Sequence, residues 1–232
     1  MPEPYKLLSI IIPVYNEQST IAEIIEKVSR VTLPIKTEII VIDDGSTDGT
    51  ARALELSREK VTINYRTPVN IGKGAAVRIG LTMVKGDIIL IQDADLELDP
   101  NEFCELIRPI LDGKTSVVYG SRFLKSNTVP FVRRLANYAL TRTTNLLYGT
   151  KLTDMETAYK VFTREAAAKL KLEANRFEIE PEITAQLAML GYTILEVPIT
   201  YRPRTILEGK KITWKDGVKA LWTLLKYRWP KR

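Results

Sequence analysis

Asp93-Ala94-Asp95 carries the plainest chemistry in this sequence of 232 residues. It closes an apolar run over 87–92 that reads as a buried strand, and Glu97 and Asp99 continue the two-residue spacing. Side chains alternate along an extended segment, so Asp93, Asp95, Glu97 and Asp99 are expected on one face, with Ala94, Leu96 and Leu98 on the other. Two or three carboxylates at a strand end suit a hard divalent cation, Mg²⁺ or Mn²⁺. Such a cation bridges a diphosphate that the carboxylates alone would repel. The plain alternative is a solvated acidic loop.

Asp43-Asp44 closes a second apolar run, at the place where open sheets read a ribose or a base through a carboxylate hydrogen bond. Helix capping by Asp44, Ser46, Thr47 or Asp48 is the structural alternative. Asn70-Ile71-Gly72-Lys73-Gly74 has neither P-loop nor dinucleotide spacing. Its glycines suit a tight turn and close helix–sheet packing, and Lys73 is placed to help neutralise phosphate. The chain has no His and one Cys. That removes Ser-His-Asp and Cys-His chemistry, an imidazole base, a histidine zinc site and an internal disulfide. What remains is carboxylates, Lys, Arg, Tyr, Ser/Thr and the backbone.

The net charge of +6 is unevenly spread. Residues 201–232 hold ten Lys/Arg and two acids, a net of +8, and residues 1–200 hold 24 and 26, a net of −2. No acid lies between Asp112 and Asp154, where Lys114, Arg122, Lys125, Arg133, Arg134, Arg142 and Lys151 stand. Such stretches suit phosphate or an anionic surface, or form a solvated basic face.

The elements that must position these groups alternate. Strands are expected over 7–14, 38–42, 61–65, 87–92 and 116–119, and helices over about 18–30, from Ser46 or Thr47 to about 57, from the 70–74 turn to about 84, and over 101–111. This β/α alternation predicts an α/β, doubly wound, mostly parallel sheet with helices on both faces and ligands at the carboxyl ends of its strands. Beyond it come a basic helix over 130–148, an extended stretch over 153–162, helices over 164–171 and 180–190, a strand over 193–201 and a basic loop over 202–213. One domain is expected over 1–213, with a nucleotide-sugar half, 1–122, an acceptor half, 123–213, and an appended amphipathic helix over 214–232. Cys104 is expected to pack inertly.

Ser9-Ile-Ile-Ile-Pro13-Val-Tyr15-Asn16-Glu17 resembles the opening strand of family 2 glycosyltransferases, and the stretch from Ile40 to Thr50, with Asp43-Asp44-Gly45-Ser46, resembles their second. Asn70 to Ala76, Asp93 to Asp95 and Gly120-Ser121-Arg122 follow in the family's order. Asp154 to Phe162 and Glu196-Val-Pro198-Ile-Thr-Tyr201 resemble the branch containing dolichol-phosphate mannose synthases and other polyprenyl-phosphate glycosyltransferases.

The resemblance implies a glycosyltransferase A fold and an inverting, metal-dependent transfer of mannose or glucose from a GDP- or UDP-hexose to a polyprenyl phosphate. It puts Pro13, Tyr15, Glu17 and Asp44 at the nucleoside, Asp93 at the ribose or metal, and Asp95 and Glu97 on the metal. Arg122, Arg133 or Arg134, and Arg204 face phosphates, Lys211 matches a basic position in an acceptor loop, and Asp154 lies near the sugar. The chain departs from the mannose synthases at Glu97, often Gln in them, and at Glu208-Gly209-Lys210-Lys211.

The missing histidine agrees with such an acceptor. A hydroxyl nucleophile needs a general base, whereas a phosphate oxygen arrives ionised and needs only positioning and charge neutralisation. An enzyme of the same fold acting on a soluble saccharide or protein hydroxyl would use Asp154 as base. A non-catalytic anionic-surface-binding protein is a third reading. Nucleic acid is not expected, because the Asp93–Asp99 face would repel its backbone.

No apolar run is long enough to span a bilayer. Val218, Leu221, Trp222, Leu225 and Trp229 follow helical spacing beside Lys215, Lys219, Lys226 and Arg228, which suits a helix lying on an anionic membrane. The alternative packs that helix on the core. The 130–148 helix is a second surface candidate, and its core-packing alternative uses Leu135, Tyr138, Ala139 and Leu146. The expected location is cytoplasmic, peripheral on the membrane's cytoplasmic face.

Overall fold

An apolar, β-branched run needs sheet neighbours at both edges and layers on both faces. Leu7–Val14 (β1) meets that need: all but its first residue are buried. It pairs in parallel with β2 (Lys36–Asp43) and β4 (Ile88–Ile91). In this computed structural model, which describes residues 5–126, 128–204 and 214–229, seven strands form one sheet in the order β3-β2-β1-β4-β6-β5-β7. β3 (Ile63–Arg66) pairs in parallel with β2, and β7 (Ile194–Pro198) with β5 (Val117–Ser121). β6 (Lys160–Thr163) runs antiparallel between β4 and β5.

Alternation along β1 divides the core. Leu8, Ile10, Ile12 and Val14 pack with Ile21, Ile24 and Ile25 of α1 (Ile21–Arg30) and with Phe103, Leu106 and Ile110 of α4 (Phe103–Leu111). Ile11 faces the other way, toward Val77 of α3 (Lys73–Met83) and Ile179, Ile183 and Leu187 of α7 (Ile179–Met189). α2 (Thr50–Leu56) and α6 (Arg164–Ala168) are short.

Several boundaries differ from the sequence reading, each for a local reason. α2 starts at Thr50 behind Gly49, so neither Ser46 nor Thr47 caps it; of the acids offered as caps, the Asp48 carboxylate holds the turn before the helix, accepting from the Thr50 amide at 2.9 Å. The 153–162 stretch is a strand only from Lys160, because the Thr153 and Asp154 amides donate to the Glu196 carboxylate and the Met155 amide to Thr141 Oγ1. β7 ends at Pro198, and the Thr200 amide goes to Glu102.

The two outer helices depart most from expectation. α5 (Phe131–Tyr148) turns Asn137, Thr141 and Thr144 inward and leaves Phe131, Val132, Leu135, Tyr138 and Leu146 exposed. The core-packing alternative for this helix is therefore wrong for Leu135, Tyr138 and Leu146. α8 (Trp214–Arg228) docks on the core through one face, as the core-packing alternative expected, and leaves its other face exposed. Ala220 and Leu224 are buried and Tyr148 Oη donates to the Leu224 carbonyl, while Val218, Leu221, Trp222 and Trp229 point outward. Among the described residues no helix is long and apolar enough to cross a membrane.

Gly72, before α3, has φ +124°, and a Cβ there would stand 2.4 Å from the Asn175 carbonyl oxygen. Gly72→Ala is expected to cost about 1–3 kcal/mol, from backbone strain and the clash. A lower urea midpoint at unchanged slope is the readout.

Candidate active site

A cleft of about 750 Å³ opens at the carboxyl ends of β1, β2 and β4. Its first wall comes from the ends of β1 to β4 and the segments after them: Pro13, Tyr15 and Glu17, then Asp44, then Asn70, Gly72 and Lys73, then Asp93, Asp95 and Glu97. The opposite wall holds Arg122, Arg133, Asn137, Glu156, Tyr201 and Arg204. Doubly wound sheets gather ligand groups in this way, because parallel strands all end on one side.

Asp44 organises the first wall. Its carboxylate accepts from the amides of Gly72 at 2.6 Å and Ile71 at 2.9 Å, and from Asn70 Nδ2 at 2.9 Å. The glycine-containing loop is thereby fixed to the end of β2. Asp43 has a different place. It is buried outside the cleft lining, accepts from the Ser46 amide at 2.9 Å and lies 3.4 Å from Arg66 Nε. The expectation that Asp43 reads a ribose or base is corrected: it shapes the turn that presents Asp44.

The acidic segment is a turn rather than an extended strand, with Leu96 at φ +60°. The four acids therefore do not share one face. Asp99 accepts from the Asn101 amide, capping the turn that leads into α4. Glu97 accepts from the Arg204 amide at 2.7 Å and from Tyr201 Oη at 3.2 Å, which ties the 201–204 segment across the turn. Asp93 pairs with Lys73 Nζ at 2.7 Å.

Among the described residues no group of three or more carboxylates is gathered to cage an ion. Asp93 and Asp95 are the donors that fit one. Burial, helped by the charges of Asp93 and Glu97, pushes the Asp95 carboxyl up to about 7. A hard divalent cation relieves such a penalty.

The cationic groups are already paired. Arg122 makes a bidentate pair with Asp154, Nε and Nη2 each at 2.7 Å, and its amide also donates to that carboxylate. Asp154 is fully buried and absent from the cleft lining, so its expected place at the sugar, or as a base, is corrected: it holds the Arg122 guanidinium. Arg204 reaches Glu17 at 2.8 Å and the Asp95 carbonyl at 2.7 Å. Arg133 lines the cleft and approaches the Arg204 carbonyl at 3.4 Å, while Arg134 is exposed and outside it. Lys211 lies outside the described residues.

Three cleft residues were missed in the sequence. Glu180, on α7, bridges Lys73 at 2.9 Å and the fully buried Lys160 at 2.6 Å. Lys160 also donates to the Met155 and Thr157 carbonyls. Lys73 and Lys160 hold the Glu180 carboxyl below its ordinary value although burial opposes them. Glu156 is the second; burial pushes its carboxyl up to about 7, with Glu180 and Asp154 adding and Lys160 and Arg122 opposing. Asn137 is the third. The only sequence signal for it was the polar spacing Asn137, Thr141, Thr144, which marks one helix face.

Residues 9–171, more than half of the chain, match the family described as Glycosyl transferase family 2. Glycosyltransferase AglJ of Haloferax volcanii is 30% identical over 207 residues, 88% of this chain and 65% of that protein. A dolichol-phosphate mannosyltransferase of Pyrococcus furiosus is 28% identical over 232 residues, 95% of this chain and 64% of that protein. The chain thus spans somewhat under two thirds of the length of both relatives. Among solved structures, glucosyl-3-phosphoglycerate synthase from Mycobacterium tuberculosis, in complex with Mn²⁺, UDP-glucose and phosphoglyceric acid, superposes with a TM-score of 0.75 at 24% identity, covering 96% of this chain and 80% of that one. This similarity confirms the expected glycosyltransferase A fold.

Removing one member of a buried ion network leaves the others unpaired. Glu180→Ala, which leaves the fully buried Lys160 with no carboxylate and Lys73 with Asp93 alone, is expected to lower unfolding free energy by about 3–5 kcal/mol. Denaturant titration beside the exposed control Glu165→Ala, expected to be within about 0.5 kcal/mol of the parent, measures it.

Proposed function

The chain belongs to glycosyl transferase family 2 and is a glycosyltransferase with a nucleotide-sugar-binding fold, and on that premise we propose that it moves a hexose from a nucleoside-diphosphate sugar to a polyprenyl phosphate at a membrane surface. The observation that carries this reading is α5. One face, with Val132, Arg133, Asn137 and Leu140, lines the cleft, and the rest of the helix exposes Phe131 at 78% and Tyr138 at 59%. Trp222 of α8 is exposed at 66%, and the two helices also expose the basic side chains of Arg134, Arg142 and Lys219. Apolar and aromatic side chains among basic ones suit a helix pair resting in the headgroup region of an anionic bilayer. An acceptor whose tail stays in lipid would thereby present its phosphate to a cleft open at that surface. The relative with dolichol-phosphate in its name supports the same acceptor class.

In this mechanism an oxygen of the lipid phosphate attacks the anomeric carbon. A new carbon–oxygen bond forms as the bond to the nucleoside diphosphate breaks, and the configuration inverts. The nucleophile is already an anion, so no residue need take a proton from it. Asp154, the base that a hydroxyl acceptor would require, is buried against Arg122, which favours the lipid-phosphate reading over a soluble acceptor.

Pro13, Tyr15, Glu17 and Asp44 would receive the nucleoside. Arg122, Arg133 and Arg204 would bring two anions together, with guanidinium forks suited to phosphate oxygens. Lys73 would lend charge near the diphosphate, and Lys211 is proposed to join on the acceptor side. Asp93 and Asp95 would hold Mg²⁺ or Mn²⁺, and such an ion supplies neutralisation of the departing diphosphate when bound.

Two experiments test this. Radiolabelled GDP-mannose and UDP-glucose are offered with a short-chain polyprenyl phosphate, with and without Mg²⁺. One donor should give an inverted, lipid-extractable product, and Asp95→Asn should lower transfer about 100-fold or more without lowering the unfolding midpoint. Transfer to water-soluble hydroxyl acceptors alone would sink the acceptor class. In the second, Phe131→Ser combined with Trp222→Ser should weaken co-sedimentation with anionic vesicles about tenfold or more, because each lost apolar group is worth about 1.5–3 kcal/mol. Unchanged sedimentation would remove the membrane role of these helices.

A further inference from the structure

Two buried side-chain oxygens in the cleft have no hydrogen-bond partner: Glu156 Oε1 and Asn137 Oδ1. Orphan acceptors are rare in folded proteins, and those that face a cavity ask for a ligand. The segments that carry them touch. The Met155 amide donates to Thr141 Oγ1 at 3.1 Å, which joins the loop carrying Glu156 to α5. Asn137 lies one turn before Thr141 on the same helix face, and Glu156 follows Met155. The two groups therefore flank a single contact from its two sides.

The chemistry of the missing partner is restricted. A carboxylate oxygen left unsatisfied calls for a donor and repels a phosphate. The nearby cations do not supply the donor, since Lys160 is committed to Met155, Thr157 and Glu180, and Arg122 forks onto Asp154. Ala136, Leu140 and Ala158 make the adjoining cleft wall apolar. Hydroxyl groups on a ring with apolar C–H edges match this mixture, as small-molecule sites pair apolar walls with a few placed polar atoms. Burial raises the Glu156 carboxyl to about 7, and a hydroxyl donated to it would favour its charged form.

We propose that Glu156 and Asn137 form the subsite that reads the hydroxyl groups of the transferred hexose, and so select the sugar. The inference rests on the nucleotide-sugar reading above. It adds sugar-reading residues that lie on the acceptor side of the cleft and outside the Asp93–Asp95 turn.

Calorimetry separates sugar from nucleotide. GDP, UDP, GDP-mannose and UDP-glucose are titrated with Mg²⁺ into the parent chain, Glu156→Gln and Asn137→Ala. Both variants should bind the preferred nucleoside diphosphate within about twofold of the parent and its sugar nucleotide about tenfold or more weakly, the effect of one lost buried hydrogen bond. Monodeoxy analogues of that donor then give a cycle. For one ring position, removing the hydroxyl and changing Glu156 should cost the same singly and no more together. Equal sugar-nucleotide affinity in parent and variants, or additive losses at every ring position, would overturn the subsite. A parent chain that binds none of the four nucleotides would instead overturn the donor reading, and the subsite with it.

Discussion

The carboxylate of Glu180, buried on α7 between the ammonium groups of Lys73 and Lys160, ties the two halves of the molecule together. Lys73 reaches on to Asp93, and Lys160 to the carbonyls of Met155 and Thr157. One run of alternating charge thus connects the acidic turn after β4 with the loop that carries Glu156. Burying such a network is costly, and its value lies less in stability than in the single geometry it allows. Glu180 accepts both lysines only when α3, α7 and β6 stand in one arrangement, and that arrangement sets the distance between the two cleft walls.

The same balancing recurs around the cleft. Arg122 lies against Asp154 and Arg204 against Glu17. These cations are oriented before any anion arrives, so little reorganisation is left for the moment of reaction, the condition under which fixed charges are most effective. Asp154 shows why a conspicuous acid need not touch a substrate. Its contribution is the orientation of a guanidinium in the cleft wall.

The sheet was legible because β1 is apolar but for Ser9 and β2 is apolar over 39–42, the pattern of strands buried on both faces. The first wall of the cleft was legible too, since loops after parallel strands collect on one side. The spacing of Asp93, Asp95, Glu97 and Asp99 misled because it is compatible with alternation, while Leu96 at positive φ turns the chain there. Asp43 and Asp44 are adjacent in sequence and opposite in role, a distinction that depends on which carboxylate meets the Ile71 and Gly72 amides. Glu180, Glu156 and Asn137 come from the later half of the chain, and nothing in their local sequence says what they face. For α5 the sequence offered a surface and a core-packed reading and could not choose between them, because a periodic pattern shows that a helix has two faces, and not which one meets the protein; the exposed Leu135, Tyr138 and Leu146 decide for the surface.

That inverted helix has a consequence for the protein in bulk solution. Most proteins expose contiguous apolar surface only as they unfold, whereas this one carries it in the native state. Colloidal behaviour and native structure are thereby decoupled: self-association through α5 and α8 at high concentration would signal a correctly folded molecule rather than a damaged one. Sequence changes that make the protein better behaved in buffer would do so by altering this native surface, so solubility is a poor guide to quality for this chain.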